Sequence, residues 1–300
     1  MKVSVSITTY NHERYIAEAI ESVLMQRTSF DFELIVGEDR SRDRTREIVL
    51  DFERRYPEKV RAVLPEENLG GGGKRIFVET LRLCRGQYIA AMDGDDLWTS
   101  PEKLQIQADF LDAHPECSAC YHDVINLYED GLEGPPTSRD SGAKPFATLD
   151  DVVERCFVPA CSPMFRREVV AELPAWYFEM PWGDWPLYIL AAERGPIGHI
   201  DALLGAYRVH RGGMWSGLGE VEKMEGLVAF YRRIDVLLGF RHTKTIRHRS
   251  GRCYYRLASL YAGGGETAKA RSCAWKALLH LPLRRHHPYG HLLRMLLRPP

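Results

Sequence analysis

Three carboxylates follow closely on one apolar segment, because Asp93, Asp95 and Asp96 come directly after residues 88–92 (YIAAM). The apolar run predicts a buried strand that ends where the carboxylates begin. Negative charges at the end of a strand are stable when a cation lies among them, and Mg²⁺ or Mn²⁺ favours carboxylate and phosphate oxygens. An Asp-Gly-Asp segment is also typical of a plain turn. The segment therefore indicates either a divalent-metal site or a turn.

Four strand-like segments alternate with helical ones in the N-terminal third of the chain. The predicted strands are residues 3–8, 32–37, 60–64 and 88–92. This alternation predicts right-handed crossovers and a parallel sheet. Ligands bind at the carboxyl ends of such strands, where polar residues gather at 8–11, 38–39 and 93–96. We expect these three strand ends to form one pocket, and Asn11 to cap the first helix.

The size and composition of the chain are those of a globular protein. Its 300 residues suffice for one large α/β domain, alone or with a smaller appendage. No apolar run reaches the ~18 residues of a membrane-spanning helix, and the first residues resemble a strand and not a signal peptide. Seven cysteines without regular spacing predict reduced thiols in a cytosolic protein. Cys117, Cys120 and Cys161 are interpreted as small buried residues.

Charge is distributed unevenly along the chain. Residues 221–300 hold 16 Lys/Arg and 4 Asp/Glu, a charge of +12, whereas the first 220 residues hold 24 and 37, a charge of −13. A basic tail indicates an anionic partner, and we expect a membrane surface and not nucleic acid. Residues 257–279 resemble one helical hairpin of the tetratricopeptide type. The last segment, 281–300, suits either a membrane surface or an ordinary docking helix.

Two later segments carry further side chains that could take part in chemistry. Asp184 lies between Trp182 and Trp185 and could accept a proton from a hydroxyl group, or could cap a helix over residues 186–193. A short strand at 200–204 precedes a predicted loop, 206–216, that contains basic residues and glycines. Such a loop suits a lid over a diphosphate.

Four stretches resemble family 2 glycosyltransferases of the GT-A fold. They span roughly residues 3–217 and read SITTYNHERYIAEAIESVLMQ, FELIVGEDRSRDRT, GQYIAAMDGDDLWTSPEKLQIQADFL and GDWPLYILAAERGPIGHIDALLGAYRVHRGGMWSG. Glu38 stands where the family usually has Asp, and Arg40 stands where a small or polar residue is commoner. The resemblance implies an α/β fold of Rossmann-like type, with a mostly parallel central sheet flanked by helices and an α-helical extension at the C-terminus.

The resemblance also implies which residues bind the donor and the metal. A nucleotide would contact Thr8, Thr9, Tyr10, Asp39, Lys74, Asp93 and Gly94. Asp39 would accept the N3–H of uracil, and Tyr10 would lie against the base. A divalent cation, Mn²⁺ or Mg²⁺, would bind Asp95, Asp93 and His210. For Asp96, a third ligand and a loop cap remain equal alternatives.

On the acceptor side, the resemblance implies that Asp184 is the general base. Trp182 and Trp185 would hold the acceptor sugar, while Arg208, His210 and Trp215 would cover the diphosphate. A lone His is usually structural, but the loop around His210 favours a functional role.

These observations predict a catalytic domain over 1–217, with a nucleotide half at 1–98 and an acceptor half at 99–217. A basic helical extension follows at 218–300. The expected activity is inverting transfer from a UDP-sugar to a carbohydrate or lipid-linked glycan, in the synthesis of bacterial surface polysaccharide. We expect a cytoplasmic enzyme with peripheral membrane contact through its tail. The alternatives are a non-catalytic sugar-nucleotide-binding protein and, less well supported, a nucleotidyltransferase. The latter would show a Gly-rich, basic signature after the first strand.

Overall fold

The computed structural model describes residues 1–128, 131, 133–134, 144–210, 212–281 and 289–297. The chain forms two compact units, Met1–His210 and Arg211–Pro300. Each unit has its own set of secondary-structure elements, and we describe them separately. Most of the predicted loop at 128–145 lies outside the described residues.

The first unit is built on one mixed sheet. Its strands, β1 to β9, are Val3–Thr9, Phe32–Glu38, Val60–Val63, Tyr88–Asp93, Leu97–Trp98, Ala119–Tyr128, Phe146–Ala147, Met164–Arg166 and Ile197–Val209. Their order is β3-β2-β1-β4-β8-β6-β9-β5, and β7 pairs with β9. Pairing among β1 to β4 is parallel, as predicted. The antiparallel strand β8 joins these four strands to the second half of the sheet.

Helices flank the sheet of the first unit. Helices α1 to α7 are Ile16–Leu24, Thr45–Arg55, Lys74–Leu83, Lys103–Ala113, Leu149–Glu154, Arg167–Val170 and Asp184–Arg194, and a 3₁₀-helix spans Ala175–Glu179. The apolar face of α1, with Ile16, Ile20 and Val23, is buried against the sheet. In α4, Leu104, Ala108 and Leu111 are fully buried, as their helical spacing indicates.

One prediction about local structure is wrong, and one predicted strand is too short. Asn11 does not cap α1, which begins at Ile16 with Tyr15 at the N-cap position. Asn11 instead adopts a left-handed backbone (φ 56°), and its Oδ1 accepts the N–H of Arg42 at 2.8 Å. The predicted short strand at 200–204 is the middle of the 13-residue β9. It is long because it pairs with β5, β6 and β7.

The second unit is helical in its described residues. Its helices, α8 to α11, are Glu220–Leu237, Thr243–Gly263, Thr267–His280 and Tyr289–Leu297. Helices α9 and α10 pack together and confirm the predicted helical hairpin. Of the predicted terminal segment, residues 282–288 and 298–300 lie outside the described part of the chain. Across the two units, the described helices include none with the length and apolar character needed to span a membrane.

Candidate active site

The ends of β1, β2 and β4 lie side by side in the first unit. Thr8 pairs with Asp93, and Thr9 pairs with Glu38, so the polar residues after all three strands meet at one edge. The hydroxyl of Thr8 donates to Asp93 Oδ1 at 2.9 Å. The N–H of Asp39 donates to the carbonyl oxygen of Thr9 at 3.0 Å. The sheet thus brings together the three polar segments that the sequence places at strand ends.

Gly94 is required between the two carboxylates by close packing. Its N–H donates to the carbonyl oxygen of Thr8 at 2.8 Å. A Cβ atom at this position would lie only 2.6 Å from Thr9 Oγ1 and 3.1 Å from Ile16 Cδ1. Because only glycine fits this close to β1, the turn places Asp93 and Asp95 next to the end of that strand.

Two imidazoles face the carboxylate of Asp95. Its Oδ2 lies 2.9 Å from His210 Nε2 and 3.7 Å from His12 Nε2. Burial alone would raise the pKa of Asp95, but the hydrogen bond to His210 and the charge of His12 lower it. Sequence reasoning found His210 and missed His12. His12 could have been predicted from its position, because it lies three residues after β1, at the edge where the carboxylates gather.

The pKa of Asp93 is raised, in contrast to that of Asp95. Its side chain is exposed to solvent, yet protein surrounds it on most sides. This enclosure, followed by the negative charges of Asp95 and Asp184, raises its pKa. Asp184 is therefore within electrostatic reach of Asp93, although the two residues come from different halves of the unit.

The oxygen and nitrogen atoms around Asp95 suit a hard or borderline divalent cation. Among the described residues, no three His, Cys, Asp or Glu side chains are arranged to hold a metal ion by themselves. Asp95 and His210 nevertheless present one carboxylate oxygen and one imidazole nitrogen side by side, a donor pair suited to Mn²⁺. Such a cation would take most of its other ligands from phosphate and water, as Mg²⁺ and Mn²⁺ commonly do.

Arg208 and Asp96 hold the carboxylate loop in place. Asp96 is buried, and its Oδ1 accepts the backbone N–H of Arg208 at 2.8 Å. The guanidinium of Arg208 donates to the carbonyl oxygen of Asp95 at 2.9 Å and forms an ion pair with Glu18. Asp96 therefore ties the loop to β9, as expected of a loop cap. The prediction that Arg208 lies on a flexible loop is wrong, because β9 continues to Val209.

Two further predicted nucleotide contacts, Tyr10 and Asp39, lie at the same edge. Tyr10 is 39% exposed at the end of β1. Asp39 is buried, and its carboxylate oxygens accept the N–H groups of Leu69 at 2.7 Å and Gly70 at 3.3 Å. Burial raises the pKa of Asp39. Asp39 thus orders the glycine-rich loop, and its role toward a base stays a prediction.

Lys74 begins α3 and is buried. Its ammonium group donates to the carbonyl oxygens of Phe178, at 3.2 Å, and Met180. These bonds tie α3 to the segment that leads into Asp184. The structure therefore shows Lys74 joining the two halves of the unit, and a contact with nucleotide stays a prediction.

Asp184 is the first residue of α7. The N-cap residue is Gly183, so Asp184 does not occupy the N-cap position considered from the sequence. Its Oδ1 accepts the N–H of Trp185 at 2.8 Å. The side chain is half-buried, and burial raises its pKa. A carboxylate with a raised pKa is a stronger proton acceptor at neutral pH than an ordinary surface Asp.

The three predicted tryptophan contacts differ in position. Trp185 is only 4% exposed, and its indole N–H donates to the carbonyl oxygen of Val152 at 2.7 Å. Its ring packs inside the protein, so the prediction that it stacks on an acceptor sugar is wrong for this structure. Trp182 is half-buried, two residues before Asp184, and its contact with an acceptor sugar stays a prediction. Trp215 belongs to the second unit, where the ammonium of Lys223 lies 5.7 Å from its ring, and its role as a lid stays a prediction.

Two known proteins match this chain in sequence. An uncharacterized protein of Mycobacterium tuberculosis is 36% identical over 219 residues, which are 71% of this chain and 60% of that protein. The chain thus spans less than two thirds of the length of this relative. Staphylococcus aureus poly(ribitol-phosphate) β-N-acetylglucosaminyltransferase TarS is 34% identical over 152 residues, or 50% of this chain and 25% of TarS.

Two solved structures share the fold at low sequence identity. TarS residues 1–349 in complex with UDP-GlcNAc match with a TM-score of 0.65 and 20% identity, over 94% of this chain and 82% of that one. Mannosyltransferase PcManGT from Pyrobaculum calidifontis, in complex with GDP-Man and Mn²⁺, matches with a TM-score of 0.60 and 18% identity, over 98% and 84%. These likenesses confirm the predicted GT-A fold.

The family assignment comes from the sequence itself. A model of the family described as glycosyl transferase family 2 matches residues 4–173, more than half of the chain. The matched stretch includes Asp93, Asp95 and Asp96, and it ends before Asp184 and His210. This chain therefore belongs to glycosyl transferase family 2.

Proposed function

We propose that this protein transfers a sugar from a nucleotide-diphosphate sugar to a carbohydrate hydroxyl, with inversion at the anomeric carbon. One observation carries the proposal: the carboxylate of Asp184, which begins α7, lies close enough to Asp93 at the end of β4 to help raise the pKa of Asp93. A donor-binding group and a proton acceptor thus share one site. A protein that only bound the donor would have no need of Asp184.

The donor side of the proposal rests on the edge formed by β1, β2 and β4. We favour a UDP-sugar, because TarS, whose structure contains UDP-GlcNAc, matches in both sequence and fold. The GDP-Man in PcManGT makes a GDP-sugar the competing choice. In either case Tyr10 and Asp39 would face the base from the ends of two neighbouring strands. The poly(ribitol-phosphate) in the name of TarS supports a polymeric acceptor, and we propose a polymer of the bacterial cell surface.

A divalent cation fits beside Asp95. Asp95 and His210 would hold it together with phosphate and water, the predicted contact with Asp93 stays a proposal, and the Mn²⁺ in PcManGT supports this choice of metal. When bound, such an ion neutralises charge that develops on the departing diphosphate. Arg208 and Asp96 contribute by fixing the main chain of the loop that carries Asp95.

The chemical step we propose is a single displacement. Asp184 accepts the proton of the acceptor hydroxyl, whose oxygen forms a bond to the anomeric carbon as the bond from that carbon to the diphosphate oxygen breaks. The bonding electron pair leaves with the diphosphate. Attack from the face opposite the leaving group inverts the anomeric carbon. No protein nucleophile is required, which is consistent with the complete burial of Cys161.

A thermal-shift screen followed by an activity assay tests this function. UDP-, GDP- and dTDP-sugars are added to the full chain with Mn²⁺ and with EDTA. We expect one nucleotide class to raise the melting temperature in the presence of Mn²⁺, and its sugar donors to be turned over to free nucleoside diphosphate. If no nucleotide sugar stabilises the protein in Mn²⁺ or EDTA, the proposed function is wrong.

A further inference from the structure

We infer that the turn between α8 and α9 is a docking surface for an anionic lipid membrane. Three large apolar side chains project from this turn: Val236 is 61% exposed, Leu237 is 39% exposed and Phe240 is 62% exposed. They come from the last turn of α8 and the two residues that follow Leu238. Exposed apolar side chains are common singly, but a group of three at the tip of a helical pair marks a contact surface.

The backbone of the turn holds Phe240 outward. The N–H of Phe240 donates to the carbonyl oxygen of Asp235 at 2.9 Å, and that of Gly239 donates to Val236 at 3.0 Å. This pair of bonds is a Schellman motif, in which an apolar residue after the cap commonly packs back on the helix. Here the ring of Phe240 stays exposed instead.

The conformation of Phe240 is itself costly. Phe240 has a φ of +60°, in the left-handed region that bulky residues rarely adopt. The hydroxyl oxygen of Thr243 lies 2.9 Å from the carbonyl oxygen of Phe240 and 2.7 Å from Asp235 Oδ1, so its single proton is shared between these two acceptors next to the turn. Strain of this kind, held by surrounding bonds, is typical of residues that have a function.

Basic residues flank the apolar tip. Residues 232–247 contain five Lys/Arg and a single acidic residue, Asp235. The five are Arg232, Arg233, Arg241, Lys244 and Arg247. In addition, α9 contains no Asp or Glu at all. The charge of the turn is therefore complementary to an anionic surface.

An anionic lipid surface fits this combination better than a protein groove. Aromatic and aliphatic side chains enter the boundary between headgroups and acyl chains, while Lys and Arg beside them contact anionic headgroups. Only three apolar side chains project here, from the end of two helices. Such a small group suits shallow insertion into a lipid surface better than filling a protein groove. The sequence predicts membrane contact for the basic tail, and we assign that contact to this turn.

Vesicle co-sedimentation of the full chain tests the inference. The vesicles contain either phosphatidylcholine alone or phosphatidylcholine with phosphatidylglycerol. We expect binding only to the anionic vesicles, with an affinity that falls as salt is added. Phe240→Ser should reduce the partition coefficient by about tenfold or more, because a large apolar side chain no longer enters the bilayer. Replacing Arg232 and Lys244 by Gln should weaken binding and reduce its salt dependence.

A matched control separates this turn from other apolar surface. Phe146→Ser removes a ring that is 40% exposed in the first unit, and it should leave vesicle binding unchanged. Exchanging Arg232 for Lys and Lys244 for Arg keeps the charge and should also preserve binding. The melting temperature of each variant is measured on the same preparation.

Two results would overturn the inference. In the first, the wild type sediments equally with neutral and anionic vesicles, or sediments with neither. A protein partner would then be the explanation for the exposed tip. The other is wild-type affinity in a folded Phe240→Ser variant. Neither measurement needs a donor or turnover, so a failure here is distinct from a failure of the proposed function.

Discussion

Asp184 illustrates how one carboxylate is placed for a chemical task. It begins α7, is half-buried, and its Oδ1 accepts the N–H of Trp185 at 2.8 Å. One carboxylate oxygen accepts that bond, and burial keeps the pKa of the group above that of an ordinary Asp. These properties suit a proton acceptor better than a residue whose only task is to start a helix.

Replacing Asp184 by Asn separates the two roles. Asn keeps the shape and the bond to the N–H of Trp185 but cannot accept a proton. We expect turnover to fall by roughly 10²–10⁴-fold, the range for loss of a positioned base, while nucleotide affinity stays nearly unchanged. Turnover, donor affinity and melting temperature are measured on one preparation. Normal turnover with a lowered melting temperature would show that Asp184 serves only the helix.

For single residues, the sequence predicts the features that depend on their neighbours in the chain. A buried strand followed at once by Asp93, Asp95 and Asp96 indicates a charged strand end, whatever the rest of the fold. The contact between His12 and Asp95 was not predicted, because it depends on the pairing of β1 with β4, whose paired residues are 85 positions apart in the chain. The burial of Trp185 was also missed, because it depends on the packing of α7 against α5, where Val152 lies 33 residues earlier in the chain.

Among the elements, β9 fixes the geometry of the carboxylate loop. The main chain and guanidinium of Arg208 contact Asp96 and Asp95, and Glu18 on α1 holds the guanidinium from the other side. Because Arg208 lies in a paired strand, its position follows from the sheet. We therefore interpret Arg208 as a positioning residue for Asp95.

An exchange of Arg208 for Lys tests this interpretation. Lys retains the charge but cannot bond the Asp95 carbonyl and Glu18 together. We expect Arg208→Lys and Arg208→Met both to weaken Mn²⁺-dependent nucleotide binding, and Glu18→Gln to produce a smaller loss. Titration of UDP in the presence and absence of Mn²⁺ measures the effect. Full recovery of binding in Arg208→Lys would show instead that only the charge of residue 208 matters.

Helix α4 carries a buried amine with an unusual charge state. The Lys103 side chain is fully buried, its Nζ lies 3.6 Å from the centre of the Trp98 ring, and among the described residues it has no hydrogen-bond partner. Burial lowers the pKa of Lys103 to about 7. In the unfolded chain that pKa is about 10.4, so between these pH values only the unfolded chain holds the proton.

This difference predicts the pH dependence of a Lys103→Met variant. For the wild type, the contribution of Lys103 to the free energy of unfolding should rise as pH increases from about 7 to about 10. The variant lacks this term, so its melting temperature should exceed that of the wild type by a few degrees at pH 7, and the gain should shrink toward pH 10. Lys59→Met, on an exposed lysine that also lies over an aromatic ring, is the control. A Lys103→Met variant that is less stable at every pH would contradict the prediction.

The sequence predicts the helices and strands in which apolar residues recur at regular spacing. The parallel order of β1 to β4 and the helices between them follow from alternating apolar and helical patterns. The short strands β5, β7 and β8 have only two or three residues each, too few for a pattern, and only sheet pairing defines them. The extension of β9 to Val209 is likewise defined by pairing, here with β6.

For the whole molecule, sequence and structure both divide the chain into a sheet-based part and a basic helical part. The acidic first part holds the candidate active site, and the basic second part holds the α8–α9 turn. The helical hairpin was predictable because its apolar spacing is regular. The outward position of Phe240 was not, since the sequence alone does not show that its φ is positive.

The central claim is that Asp95 supports metal-dependent binding of a nucleotide diphosphate, and calorimetric titration of UDP into the Asp95→Asn variant tests it most directly. Asp184→Asn is the matched control, because it removes a carboxylate of the same site that we assign to the acceptor. With saturating Mn²⁺, we expect Asp95→Asn to lose at least about tenfold in UDP affinity and to become insensitive to EDTA. Asp184→Asn should bind UDP as the wild type does. Wild-type, Mn²⁺-dependent affinity in a folded Asp95→Asn variant would contradict the account.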